Sequence, residues 1–202
     1  MRHQPHVYAP GPWPSDAIDL SQATRRHLEN VLRYGEGGPV TYTDGAGIVG
    51  AGRWVSGSIE RGAESAVSRP SRAVTLVVAP PKPRDRQRFV VEKLQELGVA
   101  SLAWVMTERS EARAPRPDRA RAWAVGALEQ SRGAWLMDLT QTELDELGSA
   151  IVADGGGTPI SDIEWSDPVI VVIGPEGGLS DKELEQFTLR ASLGPTVLRT
   201  ET

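Results

Sequence analysis

The chain has 202 residues, of which 39% are hydrophobic and 24% charged, with a formal net charge of −5 and no cysteine. That is the composition of a globular chain with enough apolar residues for one large domain or two small ones. It excludes disulfides, thiol nucleophiles and thiolate metal sites. The longest apolar run, residues 169–173, is far too short to cross a bilayer. The opening Met1-Arg2-His3-Gln4-Pro5 has no apolar signal core, so the expected location is cytoplasmic.

The negative net charge hides an uneven distribution. Residues 73–135 carry 11 Lys+Arg against 7 Asp+Glu, whereas residues 136–202 carry 3 against 13. Phosphate binding needs a local positive patch rather than a positive protein, and the middle segment can supply one. A solvated helix face explains the same charges equally well.

The first seventy residues read as a small β-rich unit with one helix. Ser21 is placed to cap a helix whose apolar positions Leu28, Val31 and Leu32 share a face, and Gly35, Gly37, Gly38 and Pro39 end it. Residues 40–43 read as a strand, Asp44-Gly45 as a turn, and residues 53–55 and 58–59 as further strand pieces. Residues 68–71 read as a linker. From Val74 onward, strands alternate with helices: strand 74–79, helix 84–97 with Phe89, Val90, Lys93, Leu94 and Leu97 near helical spacing, strand 102–106, and helix 117–131. Strand 150–153 follows, then a loop at Asp154-Gly155-Gly156-Gly157, strand 169–173, and a loop at Gly174-Pro175-Glu176-Gly177-Gly178. Ser180-Asp181-Lys182-Glu183 has the form of a capping box opening a helix to about residue 191. This alternation implies a parallel sheet and an α/β class.

Three loops, at 154–157, 174–178 and 193–195, follow apolar segments, and ligands of open α/β sheets gather at the carboxyl ends of strands. Tight strand-to-helix turns also need glycine, so the loops alone do not decide between a site and a turn. Neither a P-loop nor a Gly-x-Gly-x-x-Gly fingerprint is present, and Glu176 would repel a triphosphate. A ligand carrying hydrogen-bond donors, such as an adenosine or an amino acid, suits the loop better.

The stretch Val172-Ile173-Gly174-Pro175-Glu176-Gly177-Gly178-Leu179-Ser180 resembles a hallmark of the ribosomal RNA small-subunit uracil-N3 methyltransferases, the RsmE family of the SPOUT class. Leu193-Gly194-Pro195-Thr196-Val197-Leu198-Arg199-Thr200-Glu201-Thr202 resembles the second hallmark. The 92–99 helix end, Thr107-Glu108-Arg109-Ser110, Glu129-Gln130-Ser131-Arg132 and the segments at Arg2-His3, His27-Leu28 and Val31-Leu32-Arg33 are similar to family segments in the same order. The resemblance implies a PUA-like β-barrel for RNA over residues 1–70. It also implies a SPOUT methyltransferase domain with a trefoil knot over residues 71–202, working as a homodimer. Family members continue past the last hallmark into a helix, so with the sequence stopping at Thr202 that helix is expected to be missing.

The implied activity is methyl transfer from S-adenosylmethionine to N3 of a uridine in 16S rRNA of the small ribosomal subunit. Carried over, the cofactor residues are Ala153 and Asp154; Ile173, Gly174, Pro175, Glu176, Gly177 and Gly178; and Leu193, Gly194, Pro195, Val197 and Leu198. Uridine N3 must lose a weakly acidic proton before it attacks, which calls for a general base or a cation that stabilises the anion. Arg199 and Glu201 are the candidates, the alternative being that they cap helices or pair with each other. Phosphate contact is the functional reading of Arg2, Arg25, Arg26, His27, Arg33, Arg109 and Arg132, with Arg113, Arg116, Arg119 and Arg121 in the same middle cluster. A solvated surface, or a buried structural role for His27, is the competing one. With His3 and His6 the only other histidines, no metal site is expected. A catalytically inactive RNA-binding protein of the same fold, and a SPOUT enzyme acting on another RNA, are the competing functions.

Overall fold

The computed structural model describes residues 4–165, 167–196 and 199–200. Of the residues singled out above, Arg2, Val197, Leu198 and Glu201 lie outside the described residues. The chain divides into two compact units, Met1–Arg69 with Leu128–Leu136, and Pro70–Ala127 with Met137–Thr202.

In the first unit the described elements are β1 (His6–Tyr8), β2 (Ala17–Asp19), α1 (Gln22–Arg26), β3 (Pro39–Thr43), β4 (Ile48–Val55) and β5 (Ser58–Ala66). The strands form one sheet in the order β1-β3-β4-β5-β2, antiparallel except for the β1–β3 pair. Asp44 does form the expected turn between β3 and β4, because its carboxylate accepts the N–H groups of Ala46 at 2.7 Å and Ile48 at 2.9 Å. The β4–β5 turn places Ser56 and Gly57 at φ 50° and 83°, the left-handed pair that suits a two-residue hairpin loop. Val40, Tyr42, Trp54, Ile59 and Leu28 are buried together inside.

The helix of this unit departs from the sequence reading. Ser21 Oγ accepts the Thr24 N–H at 3.1 Å, as a cap should. After Arg26, however, the chain widens into a π turn over His27–Val31. The wider turn shifts which residues share a face. Leu28 is buried, but Val31 and Leu32 are 68% and 47% exposed, so they do not form the expected apolar stripe.

The buried histidine of this unit is His6. Its Nε2–H donates to the Gly133 carbonyl at 3.2 Å, which leaves Nδ1 to accept from the Thr41 hydroxyl at 2.8 Å. Burial holds its pKa below the ordinary 6.5, aided by the charge of Arg132 and opposed by the Gly133 hydrogen bond. The folded state therefore binds fewer protons than the unfolded chain between the lowered value and 6.5. The stability contributed by neutral His6 is fully present above pH 6.5 and is lost as the pH falls through that window. Denaturant titrations of His6→Asn beside the parent should show the largest gap above pH 6.5 and a shrinking gap down to pH 5. A gap that is constant with pH would remove His6 as the titrating group. Glu129 works in the opposite sense in the parent: burial raises its pKa although its carboxylate accepts the Tyr8 N–H at 2.9 Å, so the comparison must be a difference.

In the second unit the described elements are β6 (Val74–Val78), α2 (Arg84–Glu96), β7 (Ser101–Val105), α3 (Pro117–Ser131), β8 (Asp138–Thr142), β9 (Ile151–Pro159), β10 (Val169–Ile173), α4 (Asp181–Leu184) and β11 (Leu189–Ser192); the end of α3, from Leu128, groups with the first unit. Every strand pair is parallel, and the order across the sheet is β11-β9-β10-β6-β7-β8. An α/β class with a parallel sheet is thus what the chain adopts. Val77, Ala103, Val105, Val152, Val172, Leu179 and Phe187 form its core.

Four details correct the sequence reading. The inward face of α2 is Gln87, Val90, Val91 and Gln95, while Phe89 and Leu97 are 45% and 77% exposed. The two buried glutamines make this possible by satisfying backbone groups: Gln87 Nε2–H donates to Pro81 and Arg113 carbonyls, and Gln95 Oε1 accepts the Met137 N–H. The polar stretch Asp138–Thr142 is a strand, held at the sheet edge by β7. The helix expected to run from Ser180 to about residue 191 stops at Leu184, and Leu189–Ser192 pairs with β9 instead. Finally, the 154–157 glycine loop belongs to β9, although its pairing with β11 jumps from Val152–Arg190 to Thr158–Ala191 and leaves residues 153–157 out of register.

Candidate functional site

Adjacent parallel strands bring their carboxyl ends together, and β9 and β10 pair through Val152 and Val172. The chain that leaves β10 therefore starts beside the out-of-register segment 153–157 of β9. Leaving β10, residues 175–178 form a turn closed by the Gly178 N–H on the Pro175 carbonyl at 2.8 Å, with Gly178 at φ 69°. That left-handed conformation strains any side chain, which accounts for this glycine.

Two charged side chains fasten this loop. The Arg109 guanidinium donates to the Gly177 carbonyl at 2.9 Å and the Leu179 carbonyl at 3.3 Å. The Glu183 carboxylate, 8% exposed, accepts the Glu108 N–H and the Ser180 N–H, both at 2.7 Å. Residues 107–110 form their own turn, in which Ser110 Oγ accepts the Thr107 N–H. This turn is thereby locked to residues 177–183. A third fastening comes from the C-terminal hallmark: Thr200, buried at 8%, donates its hydroxyl to the Gly174 carbonyl at 3.1 Å.

The sequence-derived residues distribute as follows. Ala153, Asp154, Ile173 and Gly174 are half-buried, Pro175 is buried, and Glu176, Gly177, Gly178, Leu193, Gly194 and Pro195 are exposed. Asp154 accepts the Gly156 N–H at 3.0 Å and faces Arg190 at 3.5 Å, which braces segment 153–157 against β11. Arg199 is exposed beside the buried Thr200. Of the phosphate-contact candidates, Arg26, His27 and Arg33 are exposed, so His27 does not fill a buried structural role. Arg25 instead donates to the Leu20 carbonyl and faces Asp19, and Arg132 donates to the Gln4 carbonyl.

Comparison with known proteins places this geometry. An RNA methyltransferase domain family matches residues 68–202, two thirds of the chain. This chain belongs to that family. No curated protein matched the methyltransferase by sequence. Among solved structures, ribosomal RNA small subunit methyltransferase E from Neisseria gonorrhoeae, crystallised with S-adenosyl methionine, superposes with a TM-score of 0.87 at 27% identity, covering 99% of this chain and 93% of that one. A Legionella pneumophila protein solved with the bound cofactor SAM gives 0.83 at 26%, covering 98% and 93%. A probable rRNA-methyltransferase from Porphyromonas gingivalis gives 0.83 at 27%, covering 98% and 92%.

Three residues that fasten the loop of this RNA methyltransferase are not read from sequence in that role. Glu183 reads as a capping-box partner, and the signal for its second bond, to Glu108, lies 75 residues away. Thr200 is overshadowed by the charged neighbours on either side. Arg109 reads as a surface cation, because a sequence does not reveal that its guanidinium meets carbonyls. Among the described residues no group of His, Asp and Glu gathers to hold a metal, and no helix is long and apolar enough to cross a membrane.

Proposed function

We propose that this methyltransferase transfers a methyl group from S-adenosylmethionine to N3 of a uridine in 16S rRNA, as part of small-subunit maturation in the cytoplasm. The observation that carries the reading is the loop 174–179, fastened by Arg109, Glu183 and Thr200 in a chain whose fold matches ribosomal RNA small subunit methyltransferase E over nearly its full length. The loop's chemistry fits the cofactor. It offers backbone groups and the exposed carboxylate of Glu176, and its nearest guanidinium, Arg109, is already engaged by carbonyls. Such a loop repels phosphate and accepts a cation. The cofactor residues are Ala153, Asp154, 173–178, 193–195, Val197 and Leu198.

When bound, S-adenosylmethionine supplies an activated methyl group on a sulfonium, so alignment and exclusion of water matter more than covalent help from the protein. Arg199 steadies the uracil as its negative charge develops, and Glu201 takes the N3 proton or orients the base. Residues 1–70 act as a PUA-like RNA-binding domain. Residues 71–202 act as a knotted SPOUT domain, and the working unit is a homodimer. Arg2, Arg25, Arg26, His27, Arg33, Arg109 and Arg132 contact RNA.

Calorimetric titration with S-adenosylmethionine, followed by methyl transfer to small-subunit RNA and mapping of the modified base, tests the reading. Glu201→Gln is expected to abolish turnover while leaving cofactor affinity unchanged. Parent-like turnover would remove Glu201 from the chemistry, and failure of the parent to bind the cofactor would remove the methyltransferase reading altogether.

A further inference from the structure

The second unit, acidic over its C-terminal part, holds a concentration of positive charge that the loop site does not use. Residues 82–88 and 109–121 together contain nine Lys+Arg against three Asp+Glu. These two segments are 21 residues apart in sequence but are stitched together in space. The buried Gln87 side chain donates from α2 to the Arg113 carbonyl at 3.1 Å, and Lys82 pairs with Glu111 at 2.9 Å. Two residues before Glu111, Arg109 holds the Gly177 and Leu179 carbonyls. Beyond Arg113, the Arg116 carbonyl accepts the Arg119 and Ala120 N–H groups as α3 begins. The basic segment thus runs from the contact of Arg109 with the glycine loop, past the contact of Gln87 with Arg113, onto the first turn of α3.

The charges along it fall into two kinds. Lys82 and Arg88 are neutralised by Glu111 and Glu92. Arg84, Arg113, Arg116 and Arg119 are exposed, and no ion pair is recorded for them among the described residues. Arg84 and Arg119 also sit in the first turns of α2 and α3, where a cation works against the helix macrodipole, so helix stability does not explain them. Arg113 sits in a connecting segment whose path is set by the buried amide of Gln87, a polar side chain placed for that purpose. Exposed guanidinium groups spaced along two segments that are tied together fit a repeating anion with oxygen acceptors, and the phosphodiester backbone of RNA has that chemistry.

We infer that Arg84, Arg113, Arg116 and Arg119 form a phosphodiester-docking track on the methyltransferase unit itself, separate from the RNA-binding role proposed for residues 1–70. It guides the RNA strand that flanks the target nucleotide toward the loop 174–179. The inference rests on the RNA-methyltransferase reading for its partner, and the test separates the two.

Binding of purified 16S rRNA to the full chain is measured by fluorescence anisotropy over a range of salt, with the triple variant Arg113→Gln/Arg116→Gln/Arg119→Gln beside the parent. S-adenosylmethionine affinity, read by calorimetry, serves as the folding control and is expected to be unchanged. Each lost phosphate contact lowers the slope of log K against log salt by about 0.7 to 0.9, so the triple variant should lose about 2 from the slope and at least roughly tenfold in affinity near 0.1 M salt. The corresponding triple lysine variant should keep most of the slope, and Arg88→Gln, whose charge is already paired, should leave it near the parent value. An unchanged slope in the triple glutamine variant overturns the track. So does RNA affinity lost equally in the lysine and glutamine triples, which would indicate damage to the fold. If the parent binds RNA through the track but binds no S-adenosylmethionine, the methyltransferase reading falls while the track stands. If the track's slope is displaced equally by anionic lipid vesicles and by RNA, the partner is general anionic surface and the inference is overturned in that form.

Discussion

Glu183→Ala is expected to destabilise the second unit by about 3 to 5 kcal/mol. The Glu183 carboxylate is buried and accepts two backbone N–H groups, from Glu108 and Ser180, both at 2.7 Å. Hydrogen bonds to a charged group contribute about 1.5 to 3 kcal/mol each, and alanine leaves the buried Ser180 N–H and the part-buried Glu108 N–H without their acceptor. For a chain of this size about 1 kcal/mol shifts the melting temperature by about 2 to 4 °C, so the midpoint should fall by roughly 10 °C. Glu183→Gln keeps one acceptor oxygen and should cost about half as much. Thermal unfolding followed by circular dichroism reads both variants. A loss below about 1 kcal/mol for the alanine variant would mean that water replaces the carboxylate and that the two turns are held together by something else.

The same residue illustrates how far the sequence could be read. Its half of the capping box, the bond to Ser180 N–H, is local and follows from spacing of three residues. Its other half joins it to Glu108, and no periodicity connects positions so far apart. The fold divides along the same line. The bounds of α3 were readable because Pro117 suits the first helical position and the apolar positions recur behind it. The Val-rich β6 and β10 were readable because central strands of a parallel sheet have no exposed residue, each being buried or half-buried. The edge strand Asp138–Thr142 was not, since it is largely polar and is a strand only because β7 offers it a ladder.

The short α4 is the converse case. Ser180, Leu184 and Phe187 have helical spacing, and a helix to residue 191 is what local preference selects. Tertiary pairing wins instead. The last turn tightens through the Phe187 N–H on the Leu184 carbonyl, Arg190 donates to that same carbonyl at 3.3 Å, and Leu189–Ser192 gains a full parallel partner in β9. At the site, glycine loops and the two hallmark segments were legible by resemblance. The residues that hold them in place were not, because Arg109 and Thr200 act on backbone carbonyls whose position depends on the finished fold.

Gly157→Ala is expected to disrupt the join between β9 and β11 and with it the segment carrying Ala153 and Asp154. A Cβ at this position would lie 2.6 Å from the Arg190 carbonyl carbon and 2.7 Å from both the Ala191 nitrogen and the Arg190 oxygen. All three are backbone atoms of the neighbouring strand, so no side chain can swing aside and the strands themselves must part. Overpacking of this kind costs about 1 to 3 kcal/mol. Because the Val152–Arg190 and Thr158–Ala191 pairings lie on either side of the 153–157 excursion, separation there also loosens the Asp154–Arg190 contact. S-adenosylmethionine affinity should then fall by roughly tenfold or more, each tenfold corresponding to about 1.4 kcal/mol. Gly155→Ala is the matched control, since a Cβ there meets nothing within 4 Å and should leave both stability and affinity near parental values. Calorimetric titration of the two variants, with denaturant unfolding alongside, decides the matter. Parent-like affinity in a destabilised Gly157→Ala would show that segment 153–157 braces the sheet without touching the cofactor, whereas equal losses in both variants would show that the close approach at Gly157 is not what sets the segment's geometry.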